Sequence, residues 1–446
     1  MSLDCSASTN LPRLSIPSHF SGPSDWLVLK RYVRRVRRLR LSGYPVVNDI
    51  CIPVEVFHSL ATQCDKPLFP NLRYLRVGYR HVHSLLHLFL GPHLRTLELA
   101  TMFPDKQHLN VTSTTLDRSP YITHLSVYMP HLQMPELMAP LLSRLIEKLS
   151  RLEFLRLGLS VIIDLLSVTV SLPALKTLEV HNLREGEVVP TIRQPVFVFP
   201  QLTHLIFRET TPVICAEFVR HACDFSNVSA LEAELEENGD FGEHDEMLEF
   251  TRALASALCE KTVRSIRVHQ SFGFALSDPL DVDALRPLYD FRKLTNLCLE
   301  LEQRLQLTDA DLEQLSLAFP RLQSLALRTP PTPSELIDVT LEGLAVLCHN
   351  CSDLGDLAIA FNIDCTRNTC RSSVPPRRSA NRNITTLHVI CSPVSDVDFV
   401  ARRLARMFPL LTEIITTYGI QLEAMEQRYR WRSVEDLLPR YRSEIV

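Results

Sequence analysis

The stretch "FPNLRYLRVGY" at 69–79 sets an aromatic residue and a proline ahead of leucines spaced by three and two. The spelling recurs as "FPQLTHLIF" from Phe199, "FPRLQSLAL" from Phe319 and "FPLLTEIIT" from Phe408. Proline cannot continue a helix, and it pushes the residue before it out of the α region. Phe-Pro therefore reads as a sharp stop, with the phenylalanine plugging the junction, before a strand opened by leucine. In "LRYLRV", Leu75 and Val77 point inward, and Tyr74 and Arg76 outward.

Looser copies of apolar-x-x-Leu-x-apolar lie between these. The middle apolar residue falls at Leu39, Leu75, Leu97, Leu125, Leu155, Leu178, Leu205, Leu231, Ile266, Leu297, Leu325, Leu357, Leu387 and Ile414. The steps run from 22 residues (Leu75 to Leu97) to 36 (Leu39 to Leu75), within and slightly above the leucine-rich-repeat period. Helical spacing fills several intervals. "PELMAPLLSRLIEKLSRLEFL" sets Leu137, Leu141, Leu145 and Leu149 four apart, and "TDADLEQLSLAF" opens on an N-cap candidate, Thr308. "TLEGLAVLCHNC" and "VSDVDFVARRLARMF" read likewise.

A helix, a stop and a strand cannot bury their own apolar face, so neighbouring units must stack. The expected fold is α/β: a leucine-rich-repeat solenoid or horseshoe, with a curved parallel sheet on the concave face and helices outside. Only some units, such as "LGDLAIAFN" at 354–362, carry the asparagine that usually follows the strand, so the array is irregular. The expected organisation is a polar tail at 1–25, an irregular solenoid at 26–430 with a flexible insertion near 366–383, and a C-terminal cap at 431–446.

The 446 residues are 46% apolar with a formal net charge of -4, which suggests neither a nucleic-acid nor a membrane protein. Only 12 glycines are present, which disfavours phosphate-cradling loops. The opening residues lack a basic-then-apolar leader, and runs such as "VIIDLLSVTV" fall short of the ~20 residues needed to cross a bilayer. The expectation is a soluble intracellular chain, cytoplasmic and/or nuclear, with its 12 dispersed cysteines mostly reduced. The sequons at Asn110, Asn227, Asn350 and Asn383 are then irrelevant.

The phrases "YVRRVRRLRL" at 32–41, "IPVEVFHSLATQCDKPLFPNLRYLRV" at 52–77 and "FPRLQSLAL" resemble the repeat region of F-box-like leucine-rich-repeat proteins of mushroom-forming fungi. The likeness runs from about Trp26 to "WRSVEDLLPRY". It implies a ubiquitin-ligase adaptor in which an F-box binds a Skp-type linker of a cullin ligase and the repeats hold a substrate. The chain departs from that pattern at its start. "LPRLSIPSHF" lacks the acidic residue of an F-box opening, and "IPVEVFHSL" at 52–60 leads within a dozen residues into the first Phe-Pro unit. The F-box itself therefore reads as absent. A Skp-type linker and a cullin are expected as partners only if a cryptic F-box exists.

Cys348 and Cys351, with Cys365 and Cys370, could arithmetically form a four-cysteine zinc site, but Cys348 falls where a helix meets a strand, a common place for a buried thiol. His83 and His87 stand one helical turn apart beside His81, yet Ser84 occupies the place where a metalloprotease needs glutamate. In "KRYVRRVRRLRL", Val33, Val36 and Leu39 step by three beneath Arg31, Arg34, Arg35, Arg37, Arg38 and Arg40. That pattern reads as a solvated first cap, with an anionic partner as the alternative. "ELEENGDFGEHDEMLEF" at 234–250 has no calcium-loop spacing and reads as a loop and an acidic helix start.

No nucleophile elbow, P-loop or dinucleotide fingerprint occurs. No catalytic residue, metal ligand or cofactor is assigned. The expected function is a non-catalytic protein-interaction scaffold whose protein partner is met by outward strand positions. By strand register these are Tyr74, Arg76, Glu98, Tyr128, Arg156, Glu179, His181, Arg208, Glu300, Arg328 and His388. The rival readings are a hydrolase or transferase in an irregular α/β fold, and a degenerate relic without ligase docking.

Overall fold

A computed structural model describes residues 31–41, 67–78, 85–100, 116–128, 135–158, 165, 168–183, 197–236, 245–270, 279–301, 303–329, 337–363, 380–390, 392–416 and 422–444. The architecture is α/β, with a main sheet of fourteen strands in chain order. The chain divides into two compact units, residues 1–208 and 209–446.

In the first unit the strands are β1 (Arg38–Leu41), β2 (Tyr74–Val77), β3 (Thr96–Ala100), β4 (His124–Tyr128), β5 (Phe154–Gly158), β6 (Thr177–His181) and β7, which starts at His204 and ends at Thr210 just past the boundary. Each pairs in parallel with the next, and the middle leucines lie side by side: Leu39 on Leu75, Leu75 on Leu97, and so on to Leu178 on Leu205. All seven are buried. Helix α1 (Pro135–Glu147) buries Leu141 and Leu145 at the spacing its sequence predicts, and Leu149 is buried just beyond its end.

The second unit holds β8 (Ala230–Leu235), β9 (Ser265–Gln270), β10 (Asn296–Glu300), β11 (Ser324–Arg328), β12 (Asp356–Ile359), β13 (Thr386–Ile390) and β14 (Glu413–Thr416), again parallel with the middle apolar residues in line. Its helices are α2 (Pro212–Ala222), α3 (Asp245–Ala257), α4 (Asp309–Ala318), α5 (Leu341–Asn350), α6 (Val397–Met407) and α7 (Leu422–Ser443). A short parallel pair, Leu280–Asp281 with Leu305–Gln306, lies beside them.

The turn into each strand repeats with little variation. The Phe69 carbonyl accepts the Leu72 N–H at 3.1 Å, and Phe319 does the same for Leu322 and Phe408 for Leu411. Proline thus sits at the second position of a turn, where its fixed φ is already suitable. Cys351 makes the same bond to Leu354 (3.2 Å) without a proline, so the turn, rather than the Phe-Pro spelling, is the general stop. Just before most strands, one carbonyl accepts two successive N–H groups from the next repeat. Arg37 does so for Arg73 and Tyr74, Glu153 for Lys176 and Thr177, and Gln323 for Gly355 and Asp356. This joint fixes the register between neighbours through the backbone alone.

Three helices of the second unit, α4, α5 and α6, start on side-chain caps: Thr308, Thr340 and Asp396. Thr308 is the N-cap of α4, as the sequence predicts, and Asp311 completes a reciprocal capping box with it. Asp309 then reaches the next repeat and accepts from the N–H and hydroxyl of Thr340, the N-cap of α5 (2.7 and 2.6 Å). Gly343 makes room for this contact: a Cβ there would lie 2.2 Å from Asp309 Oδ1. At the far end, Trp431 of α7 is fully buried, donates Nε1–H to the Ser392 carbonyl (2.8 Å) and meets Phe361 edge-on.

Candidate functional site

Strand alternation sends one set of side chains into the core and the other to the opposite face of the sheet. Register arranges the second set in rows across the strands. In the first unit the leading row includes Arg38, Tyr74, Thr96, His124, Phe154 and Thr177, and the middle row runs Arg40, Arg76, Glu98, Ser126, Arg156, Glu179 and Ile206. Tyr128, Gly158, His181 and Arg208 align in the last row. All eleven outward residues expected from the sequence lie on strands at these alternate positions, eight in the first unit and Glu300, Arg328 and His388 in the second.

The structure gathers most of them into clusters of ion pairs and aromatic contacts. At the N-terminal end, the guanidinium carbon of Arg38 lies 4.7 Å from the Tyr74 ring centroid and that of Arg40 lies 5.7 Å away. Burial raises the Tyr74 pKa, and the Glu98 charge adds to the rise. Arg76 reaches Glu98 at 3.8 Å. Val33, Val36 and Leu39 are buried beneath exposed Arg34, Arg35, Arg37 and Arg38, as the step of three predicts.

The tightest cluster centres on Glu179, whose side chain is only 4% exposed although it belongs to the outward set. It accepts from Arg156 Nη2 at 3.0 Å and His181 Nε2 at 2.7 Å, with Arg208 Nε at 3.7 Å. Burial alone would raise its pKa. The His181 hydrogen bond and the Arg156 charge outweigh burial and hold the carboxyl below its ordinary value. The Tyr128 ring meets His181 edge-on at 5.9 Å, and its hydroxyl accepts from Asn182 Nδ2 (3.1 Å). Asn182 is left-handed (φ 52°), a conformation asparagine tolerates. Gly158 leaves space for Tyr128, since a Cβ there would sit 2.4 Å from the ring.

In the second unit Glu300 accepts from His269 Nδ1 (2.9 Å) and Arg328 Nη1. Its neighbours in the middle row are small: Cys298, Ala326 and Ala358 stand in line, followed by His388. Burial lowers the His388 pKa, and the Arg328 charge adds to that. Cys298 Sγ lies 4.0 Å from Glu300 Oε1. Burial and then the Glu300 charge push its thiol pKa up, the opposite of what a thiolate nucleophile requires.

The remaining motifs resolve as follows. Cys348 and Cys351 are buried core thiols, and Cys351 donates to the carbonyl of Phe319 (3.4 Å). Burial pushes the Cys351 thiol up to about 12 and Cys348 up as well, which disfavours the thiolate that zinc takes. Cys365, Cys370, His81, His83, the "IPVEVFHSL" phrase and the tail at 1–25 lie outside the described residues. So does most of the expected insertion. Its last residues form a turn in which Asn381 Oδ1 accepts from the N–H groups of Asn383 and Ile384. Among the described residues no group of three or more His, Cys, Asp or Glu is placed to hold a metal, and no helix is long and apolar enough to cross a membrane. A recess lined by Arg304, Leu327, Thr329 and Asp338 offers about 30 Å³, room for about one water.

Asn182, Gly158 and His269 belong to these clusters and were not singled out from sequence. His269 was legible by alternation in "SIRVHQ", and a glycine inside a strand is itself a signal of close approach.

The fold and this face define a class: a parallel α/β protein of stacked repeats with charged and aromatic side chains along its open strand face. No family model matches the chain, and no curated protein matches it. It is similar to a chain in a crystal structure of the Rad7 and Elc1 complex in yeast, at 16% identity and a TM-score of 0.36, covering 90% of this chain and 92% of that one. A likeness of this size carries no argument about function.

Proposed function

We propose that the chain is a non-catalytic protein-interaction scaffold, a leucine-rich-repeat horseshoe that holds a protein partner on its concave strand face. On this reading it belongs with the F-box-like fungal repeat proteins and resembles the substrate-binding part of a ubiquitin-ligase adaptor, in the cytoplasm or nucleus. One observation carries the reading. The outward face is built from cross-strand clusters of arginine, glutamate, histidine and tyrosine, held at fixed spacing by backbone register. Tyrosine and arginine are the residues that most often dominate protein interfaces.

The test uses the purified chain as bait, with two kinds of variant. Arg76→Glu with Arg328→Glu alters the strand face, and Leu317→Glu alters an exposed position on α4. Specific partners should be lost by the first and kept by the second. Loss confined to the helix-side variant would overturn the reading. Because the F-box reads as absent, a two-component titration should show no direct binding to a Skp-type linker. Micromolar or tighter binding would restore ligase docking.

A further inference from the structure

The formal charge of -4 conceals a division between the two units. Residues 1–208 hold 23 Lys and Arg against 15 Asp and Glu, a net charge of +8, and residues 209–446 hold 24 against 36, a net charge of -12. Pairing every acid of the first unit within that unit would still leave eight cations over. Internal ion pairs therefore do not remove its positive charge.

Much of this excess stands where the first strands begin. Arg37, Arg73 and Arg95 occupy the same position in three successive repeats, directly before β1, β2 and β3, and all three are exposed. Each carries the carbonyl that accepts two N–H groups from the next repeat, so the register that builds the sheet also spaces this ladder. At ~4.8 Å between strands it spans roughly 10 Å. Arg37 Nη1 donates to the Asn71 carbonyl (3.2 Å) and Arg95 Nη1 to the Tyr121 carbonyl (3.1 Å), which orients both guanidinium groups and leaves them further N–H donors. The Tyr121 ring supports the edge, with the guanidinium carbon of Arg151 at 4.7 Å from its centroid and that of Arg95 at 5.0 Å. Among the described residues no ion pair reaches Arg34, Arg37, Arg38, Arg73, Arg95 or Arg151. Like charges held this close repel one another, and an anion brought to the edge relieves that repulsion.

We propose that the arginine ladder at the entry of β1 to β3, with Arg34 and Arg151 beside it, docks a segment of the partner protein rich in glutamate or aspartate. The proposal rests on the scaffold reading and names the chemistry of its partner. Acidic side chains three or four residues apart on a helix stand about 5–6 Å apart, close to the strand spacing. Carboxylates along one helix face therefore meet successive guanidinium forks, the geometry that arginine binds in bidentate fashion. Nucleic acid fits less well, for two reasons. Rings near the edge, Tyr74 and Tyr121, already carry guanidinium groups instead of standing bare as platforms for bases. The ladder also ends after three repeats: Thr123 and then Glu153 hold the equivalent carbonyl position, so a polynucleotide running on along the edge would meet an acid.

The probes are capped hexaglutamate, capped hexaglutamine and an oligouridylate, titrated onto the full chain by calorimetry and by NMR of the arginine side chains. The edge variant combines Arg37→Ala, Arg73→Ala and Arg95→Ala. A control removes the same charge from exposed sites in the second unit, with Arg292→Ala, Arg321→Ala and Arg382→Ala. Both variants change exposed side chains and should unfold near the wild-type temperature. Hexaglutamate should bind the wild type and hexaglutamine should not. The edge variant should bind hexaglutamate about 10- to 100-fold more weakly, and the control within about twofold of the wild type. The arginine Nε–H signals that move on titration should include those the edge variant lacks.

Equal binding of the two peptides, equal affinity in the edge and control variants, no binding at millimolar peptide, or tighter binding of oligouridylate would each overturn the proposal. Its failure is separable from failure of the scaffold reading. If the edge variant still captures the partners that the Arg76→Glu, Arg328→Glu bait loses, the scaffold stands and the acidic-segment dock falls.

Discussion

Glu179 in the first unit and Glu300 in the second are built to a common plan, a carboxylate on the open strand face held by an arginine and a histidine. Their surroundings differ. Glu179 stands in the middle row between Arg156 and Ile206, with Arg208 as a further cation, and its side chain is 4% exposed. Glu300 stands in the last row, one step past the Cys298–Ala326–Ala358 line, and is 22% exposed. The same residue types make a buried hub in one unit and a solvated pair in the other. Neighbours set this: Arg156, His181 and Arg208 crowd Glu179, whereas Glu98, in the same row, is 22% exposed like Glu300. In the second unit a reciprocal cap and a cross-repeat contact also tie α4 to α5 on the helix side.

The largest expected effects come from the core row that both units share. Leu155→Ala and Leu325→Ala each open a cavity at a fully buried site, and each should cost about 2–5 kcal/mol. Stability in stacked repeats passes mainly between neighbours. Hydrogen exchange should therefore show Leu325→Ala loosening β10 and β12 first, and Leu155→Ala loosening β4 and β6. Loosening spread evenly along the chain in either variant would defeat the picture of separable units.

Next in size is the contrast between the two acids. Glu179→Gln removes a buried carboxylate that accepts charge-assisted bonds from Arg156 and His181, and should lower stability by about 1.5–3 kcal/mol. Glu300→Gln breaks a pair in contact with water, with an expected cost of about 0.2–1 kcal/mol. Chemical denaturation of both variants gives the comparison directly, and equal losses would refute the role assigned to the crowding around Glu179. Acid should reveal the same asymmetry. The Glu179 pKa is depressed in the folded state, so its contribution is present above the ordinary value of 4.5 and is lost as pH falls through the folded value. Below pH 4.5 the wild type should lose stability relative to Glu179→Gln, whereas the gap between them should be constant near neutrality.

The strand ladder was legible because one apolar position recurs fourteen times with inward-outward alternation around it. The Thr308 cap was legible because its motif is local. What escaped is tertiary. Nothing near Gly343 in sequence says that Asp309, from the preceding repeat, occupies the place of its Cβ. Alternation put Glu179 on the correct face, but its burial comes from Arg156 and Arg208 on neighbouring strands. Ile390 adopts φ 45° at an irregular pairing of β13 with β14, which a β-branched residue inside an apolar run gives no reason to expect.

The smallest expected effect is a control on register. Ser324 precedes Leu325 on β11 and aligns with Asn296 and Asp356 in the leading outward row. It is half-buried, and the contact that fixes it to the ladder is its backbone N–H, which donates to the Thr295 carbonyl at 3.0 Å. Ser324→Ala keeps that bond and removes a hydroxyl from the face opposite the core. The change should stay within about ±0.5 kcal/mol. One position along, Leu325→Ala should cost several times more. A one-residue slip would exchange the two positions, because side chains alternate with a period of two. Denaturation midpoints for the two variants therefore read the register of β11 directly. A Ser324→Ala loss as large as that of Leu325→Ala would mean that Ser324 faces the core and that the outward rows, with the clusters built on them, are misassigned.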